Sequence, residues 1–432
     1  MKTSIMLFTR DLRIHDNPAL AAACAEAERV VPVFVYDDVL LGNAAPNQVR
    51  FLADSLDDLR ETLCGLGGDL VVRRGDPVAE VVRLAEETGA GSVHLAADVS
   101  PYATARLRRL SEAARLQVHA HPGLTVVPPG DLWPQGGDHY RVFTPYWRAW
   151  SGHPWRPVEA APKHVRLPDR IDPGKPPLLA ELKNGPLSPD PAAVGGELAG
   201  RRRMTDWLGE GSAGYDDTRD DLAADGTSRL SSYLRFGCVS PLELARAAEG
   251  HEGFRRQLCW RDFHHQVAAA FPDLARRDYR PGRTRWRADD EALAAWRDGL
   301  TGIPVVDAGM RQLRREGFMH NRARMITASF LTRNLGLDWR HGLHHFHRLL
   351  IDGDLADNAG NWQWVAGTGN DTRPNRVLSP LRQAARFDPD GDYVRRYLPE
   401  LAALDAAYIH HPWTVPAALR RTIDYPAPII DL

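Results

Sequence analysis

Asp352 and Asp354 stand two residues apart in Ile351-Asp-Gly-Asp-Leu-Ala-Asp-Asn-Ala-Gly-Asn-Trp-Gln-Trp364, a spacing that admits two readings. Paired carboxylates can hold a divalent metal or divide acid and base work between them. Alternatively, Arg324 in Gly317-Phe-Met-His-Asn-Arg-Ala-Arg-Met325 can pair with one carboxylate and leave no metal site. Asn358, Trp362 and Trp364 suit a hydrolytic centre poorly and suit a planar aromatic ligand with hydrogen-bonding edges better. Tyr215 and Gly226-Thr-Ser-Arg-Leu-Ser231 combine hydroxyls, a Gly-led turn and an arginine. That set is either a pyrophosphate cradle or a hydroxyl-capped helix start. Trp260-Arg-Asp-Phe263 and Gly369-Asn-Asp371 complete the polar-aromatic segments. His341, His344, His345 and His347 have helical spacing without an HExxH, so a partly exposed helix face is expected and no metal is assigned.

Two kinds of architecture must position these groups. Short β-rich runs at 4–8, 30–36, 70–73, 92–96 and 116–120 alternate with helical patterns at 18–27, 46–63, 77–87 and 103–114. Such alternation implies an α/β domain with a doubly wound, parallel five-stranded sheet. No GxGxxG follows the first strand and no GxxxxGK[ST] occurs, so neither a conventional NAD site nor a P-loop is supported. Residues 126–200 are rich in Pro and Gly and lose apolar periodicity, as a surface connector would. From 201 onward helices are expected at 254–270, 291–298, 305–315, 321–335 and 339–350. Another begins at Ser240-Pro-Leu-Glu243, where Ser240 caps and Glu243 can close a capping box. The expected division is therefore 1–125, 126–200 and an all-α 201–432.

At 432 residues the chain exceeds one ordinary core, and its 43% hydrophobic and 25% charged content is that of a globular protein. No apolar run is long enough for a membrane span, and the N-terminus opens on a strand-like run without a leader pattern. Cys24, Cys64, Cys238 and Cys259 form no CxxC pair, so a reduced, cytoplasmic protein is expected. The net charge of −2 hides local excesses. Residues 311–350 hold eight Arg against Glu316 and Asp338, and Arg276, Arg277, Arg280, Arg283, Arg285 and Arg287 form a second basic stretch. These are either phosphate-binding patches or solvated helix faces.

Taken together, these segments resemble the photolyase/cryptochrome family, most closely the class I cyclobutane pyrimidine dimer photolyases. Arg10-Asp-Leu-Arg-Ile-His-Asp-Asn17, Gly302-Ile-Pro-Val-Val-Asp-Ala-Gly-Met310 and Tyr425-Pro-Ala-Pro-Ile-Ile430 extend the resemblance along nearly the whole chain. The resemblance implies an FAD-binding helical domain and light-driven repair of UV-damaged DNA by electron transfer from reduced FADH⁻. It implies that Tyr215, Thr227, Ser228, Arg229, Leu230 and Ser231 hold the phosphates and ribityl chain. Arg261, Arg324, Asp352 and Asp354 would also contact the cofactor, and Asn358 would face flavin N5. A flipped dimer would lie between Trp260 and Trp364, against Met325, with Asn321 and Gln257 as hydrogen-bonding partners and Arg322 on a phosphate. Trp362, Trp339 and Trp286 match the family's electron-transfer chain.

Two positions depart from the dimer-repair pattern. Gln257 stands where many dimer photolyases have Glu, and (6-4) photolyases share the Gln. Those enzymes, however, use His where this chain has Asn321 and Met325, which removes their proton shuttle. An antenna chromophore is implied in the α/β domain. Ser100-Pro-Tyr102 favours 8-hydroxy-5-deazaflavin over methenyltetrahydrofolate, although Gln48 replaces an Arg common in deazaflavin binders. The family resemblance favours a monomer. The alternatives are a cryptochrome-like flavin photoreceptor, a (6-4) photolyase and a DxD-dependent metal enzyme. The chain stops directly after the family core, whereas cryptochromes often carry a C-terminal extension.

Overall fold

The computed structural model describes residues 2–113, 116–282, 285–370 and 376–431. Ala114, Arg283 and Asp371, which entered the sequence expectations, lie outside them. Two compact units emerge. The sheet unit comprises Met1–Pro186, Ala193–Ser212 and Ser228–Pro272; the helical unit comprises Leu187–Ala192, Ala213–Thr227 and Asp273–Leu432.

In the sheet unit β1 (Thr3–Phe8), β2 (Arg29–Tyr36), β3 (Val71–Arg74), β4 (Ser92–Ala96) and β5 (Gln117–His121) pair in parallel, in the order β3-β2-β1-β4-β5. Every residue of β1 is buried, as expected for a central parallel strand covered on both faces. Ile5, Leu7, Val31, Val33, Val93 and Leu95 supply one face of that core, with Val78, Val81 and Leu84 packed on it. The winding reverses between β1 and β4, and Arg10 and Asp98, just past those strands, meet there at 3.2 Å.

The Arg10–Asn17 motif does structural work. Asn17 caps the Pro18–Glu26 helix by accepting from the Leu20 amide at 3.0 Å. Arg13, fully buried, donates to the carbonyls of His15, Asp16, Gly123 and Gly237 at 2.8–3.0 Å. Gly237 ends the Ser231–Phe236 helix at φ +68°, and a Cβ there would fall 1.9 Å from the Arg10 carbonyl. Only glycine allows that approach.

Two local expectations need correction. Residues 126–200 are not merely a surface connector, because they contain the Phe143–Gly152 helix, whose Phe143, Tyr146 and Trp150 are buried. Trp150 donates its indole N–H to Asp262 at 2.9 Å, and that carboxylate also accepts from the Val126 and Val127 amides. Burial pushes the Asp262 pKa up to about 6 despite these donors. Second, Ser240 caps the Pro241–Ala247 helix through the Glu243 amide, but the Glu243 side chain pairs bidentately with Arg201 at 2.8 and 2.9 Å. A stronger charged partner displaces the capping box.

Among the described residues, no helix of the structure is long and apolar enough to cross a membrane.

Candidate functional site

Two helices of the helical unit build a cleft. The Leu355–Ala366 helix starts at Asp354, whose carboxylate accepts from the Ala356 and Asp357 amides at 2.9 and 3.1 Å, and stops at Gly367 in the left-handed region. The helical repeat puts Asn358, Asn361, Trp362 and Val365 on one side. The Asn321–Ser329 helix starts at His320, whose Nδ1 accepts from the Arg322 amide at 3.1 Å, and presents Asn321, Arg324, Met325 and Ala328. Burial lowers the His320 pKa to about 4, with Arg324 and Arg322 adding to the shift and Asp220 opposing it. A neutral imidazole can therefore keep its acceptor role at the cap. The expected continuous helix over 321–335 instead passes through a π-turn at Phe330–Asn334.

These faces, with Asp352, Asp354, Phe346, Leu350 and Trp364, line a partly open cleft with a cavity volume of about 90 Å³. Arg324 reaches Asp352 at 2.8 Å and donates from Nε to the Met319 carbonyl at 2.8 Å. With Asp352 on an arginine and Asp354 on helix amides, the pair is oriented as an ion pair and a cap rather than as two converging metal ligands. Asn358 donates from Nδ2 to the Leu343 carbonyl at 3.4 Å, a long bond that leaves most of the amide's hydrogen-bonding capacity unused. Arg376 lies over the Trp364 ring at 5.4 Å.

One wall of the cleft, Trp362, continues into further aromatic packing. Trp362 is buried, edge-on to Phe346 at 5.0 Å and to Trp296 at 6.1 Å. Its ring lies so near Gly342 that a Cβ there would come within 2.0 Å. Trp339 is fully buried and donates its indole N–H to Asp278 at 2.9 Å, while Arg340 stacks on its ring and pairs with the same carboxylate. Trp286 is half-buried; the next residue, Arg287, pairs with Leu337 and donates its amide to Gly336. His320, Gly342 and Asp278 were missed in the sequence. Only Gly342, a glycine inside a helical pattern, left a signal there.

The other expected residues belong to the sheet unit, apart from Tyr215 and Thr227. Gln257 is exposed and Trp260 half-buried, one turn apart on the Glu252–Ala270 helix. Trp260 stacks on Phe143 with ring centroids 3.7 Å apart and planes within 3°. Arg261 is buried and donates to the Leu124 carbonyl. Arg229 has φ +52°, uncommon for a residue with a Cβ, just before the Ser231–Phe236 helix. The Ser228 carbonyl accepts from Arg203 at 2.7 Å, and Leu230 donates its amide to the Ser228 hydroxyl. In the helical unit Tyr215 opens the short Tyr215–Thr218 helix, and Gly226 leaves no room for a Cβ beside Thr218.

Residues 4–163 match the model for DNA photolyase, and residues 254–432 match the FAD-binding domain of DNA photolyase. A deoxyribodipyrimidine photo-lyase of Streptomyces griseus is 52% identical, the match covering 100% of this chain and 97% of the relative. The chain belongs to the DNA photolyase/cryptochrome family. A solved class III photolyase from Agrobacterium tumefaciens superimposes with a TM-score of 0.93 at 36% identity, covering 100% and 95% of the two chains. A Synechocystis cryptochrome gives 0.92 at 30% identity, covering 100% and 97%. Both similar structures support the α/β-plus-helical fold.

For a member of this DNA-repair family, the charge distribution calls for one correction. The eight arginines of 311–350 are not a free cationic patch. Arg311, Arg314, Arg315, Arg322, Arg324 and Arg340 pair with Glu400, Asp298, Asp190, Asp220, Asp352 and Asp278, respectively. All six acids lie outside the 40-residue window, so counting along the chain overstated the local charge. In the sheet unit Tyr102 donates to Asp37, and Gln48 accepts from the Ala45 amide at 3.3 Å as part of a helix start.

Proposed function

We propose that this photolyase-family protein repairs cyclobutane pyrimidine dimers in DNA under blue or near-UV light, with FAD as its cofactor. The observation that carries the reading is the cleft that gathers Asn321, Arg324, Met325, Asp352, Asn358, Trp362 and Trp364. An amide, an ion pair and indole rings lining one cleft suit a planar flavin ring. When bound and reduced, the flavin supplies the photoexcited electron that splits the cyclobutane ring and is then returned.

The chain's own residues divide the remaining work. Asn358, whose Nδ2 makes only a long bond to Leu343, would face flavin N5 on the family resemblance and would bring an amide there and no charge. Arg324 holds Asp352 in place beside the cofactor, and Asp354 fixes the start of the helix that carries Asn358. On the family resemblance, Tyr215, Thr227, Ser228, Arg229, Leu230, Ser231 and Arg261 hold the rest of the cofactor. Trp260 and Trp364 sandwich the flipped bases, Met325 packs on them, and Asn321 and Gln257 hydrogen-bond to their edges. Trp362, Trp339 and Trp286 carry electrons to oxidised flavin. The proposal includes an antenna of the deazaflavin type, a monomer and a cytoplasmic location.

Asn321 and Met325 favour dimer repair over (6-4) repair, because neither can shuttle a proton as a histidine pair would. A light-sensing role is the second reading, favoured by the likeness to the Synechocystis cryptochrome. The test is purification followed by illumination of the reduced protein with dimer-containing DNA. A yellow or blue preparation that removes dimers only in light supports repair; a coloured one that removes none supports the sensor. A colourless, metal-requiring preparation contradicts both.

A further inference from the structure

Far from these residues in sequence, the edge of the sheet gathers three histidines. His94 in β4 and His119 in β5 are register partners, so their side chains emerge side by side on one face, and His121 follows on the same face. The rings stack, with His94 4.9 Å from His119 and 5.2 Å from His121. Glu26, the last residue of the Pro18–Glu26 helix, completes the cluster. Its Oε1 is taken by Lys2 at 2.8 Å, whereas both imidazoles approach Oε2: His94 Nε2 at 2.9 Å and His119 Nε2 at 3.9 Å.

The shorter approach is an ion-pair contact and the longer is beyond hydrogen-bond reach. Both Nε2 atoms are shielded from solvent and neither makes a well-aligned hydrogen bond, and the His94 side chain is only 3% exposed. Two poorly aligned imidazole nitrogens facing one carboxylate oxygen are a donor set that a cation among them would satisfy. We propose that Glu26, His94 and His119 bind a zinc(II) ion. Their three ligand atoms lie within 4.8 Å of one another. Tetrahedral zinc at bond lengths of about 2.1 Å separates ligands by about 3.4 Å, between the two distances to Oε2. His94 Nδ1 lies 3.0 Å from His121 Nε2, so His121 can accept the Nδ1–H and fix His94 as an Nε2 ligand. Two imidazoles and one carboxylate leave a fourth position for water. The ion would tie the end of the first helix to the edge strand.

Calorimetric titration of zinc(II) into the chelator-treated, flavin-loaded full chain tests this. We expect one zinc per chain, with affinity at least tenfold weaker in Glu26→Gln and His119→Ala and unchanged in the exposed-loop control His164→Ala. Retained flavin absorbance shows that the variants fold. Cobalt(II) should give a four-coordinate absorption band that the same two variants lose. Absence of stoichiometric uptake by the unmodified chain overturns the proposal. So does unchanged affinity in both variants, which would place the zinc elsewhere, for example on the His341–His347 face.

Discussion

Arg324 and Asp352 form a 2.8 Å ion pair in the wall of the cleft, with the carboxylate almost fully buried and the guanidinium partly exposed. Removing the arginine strands a buried charge, which costs on the order of 3–5 kcal/mol when a pair is broken on one side. Arg324→Met should therefore lower the temperature of flavin release by several degrees and reduce the flavin retained on purification. Flavin fluorescence during heating checks this. Unchanged release would separate the pair from cofactor holding.

The proposed electron-transfer tryptophans make a separable prediction. Trp286 is the least buried of the three tryptophans assigned to electron transfer, as the terminal donor should be. Trp286→Phe should slow photoreduction of oxidised flavin at least tenfold while repair by chemically prereduced protein stays within about twofold, since a phenyl ring is far harder to oxidise than indole. Time-resolved absorption after a laser flash is the check.

The helix that carries Asn321, Arg324 and Met325 should be acid-sensitive through its cap. His320 has a pKa of about 4 in the folded chain against an ordinary 6.5, so on acidification the unfolded chain takes up the proton first. The stabilisation is complete above pH 6.5 and is lost as pH falls towards 4, a change of up to about 3 kcal/mol. Asn can cap without titrating. The melting temperature of His320→Asn should therefore change less between pH 7 and pH 5 than that of the unmodified chain. Equal pH dependence would remove His320 as a source.

Arg322 should contribute to DNA affinity only by exchanging partners. It lies 2.8 Å from Asp220 and over the Phe387 ring at 4.4 Å. If it meets a phosphate, Arg322→Gln should weaken binding of damaged and undamaged duplex alike and lower the salt slope by about one. Asp220→Asn should strengthen both. Fluorescence anisotropy across a salt series distinguishes these outcomes.

Local pattern made the sheet legible, because β-rich runs and intervening helices repeat at short range. The cleft was partly legible for the same reason, since Asn358 and Trp362, or Asn321 and Met325, share helix faces by spacing alone. What escaped depended on distant partners. Asp278 lies 61 residues from the Trp339 indole it binds, and Arg201 captures Glu243 from 42 residues away. The Phe143–Gly152 helix was hidden by proline and glycine on both sides, although its apolar face is buried. The basic reading of 311–350 weakened because carboxylates outside that window pair with most of its arginines.

The most direct measurement is illumination of the reduced, flavin-loaded protein with two otherwise identical duplexes, one holding a cyclobutane pyrimidine dimer and one a (6-4) photoproduct. With Asn321 and Met325 in place of a histidine pair, only the cyclobutane lesion should disappear, and only in light. Gln257, exposed one turn before Trp260, is the residue that could reverse the choice. Loss of the (6-4) lesion alone would contradict the account.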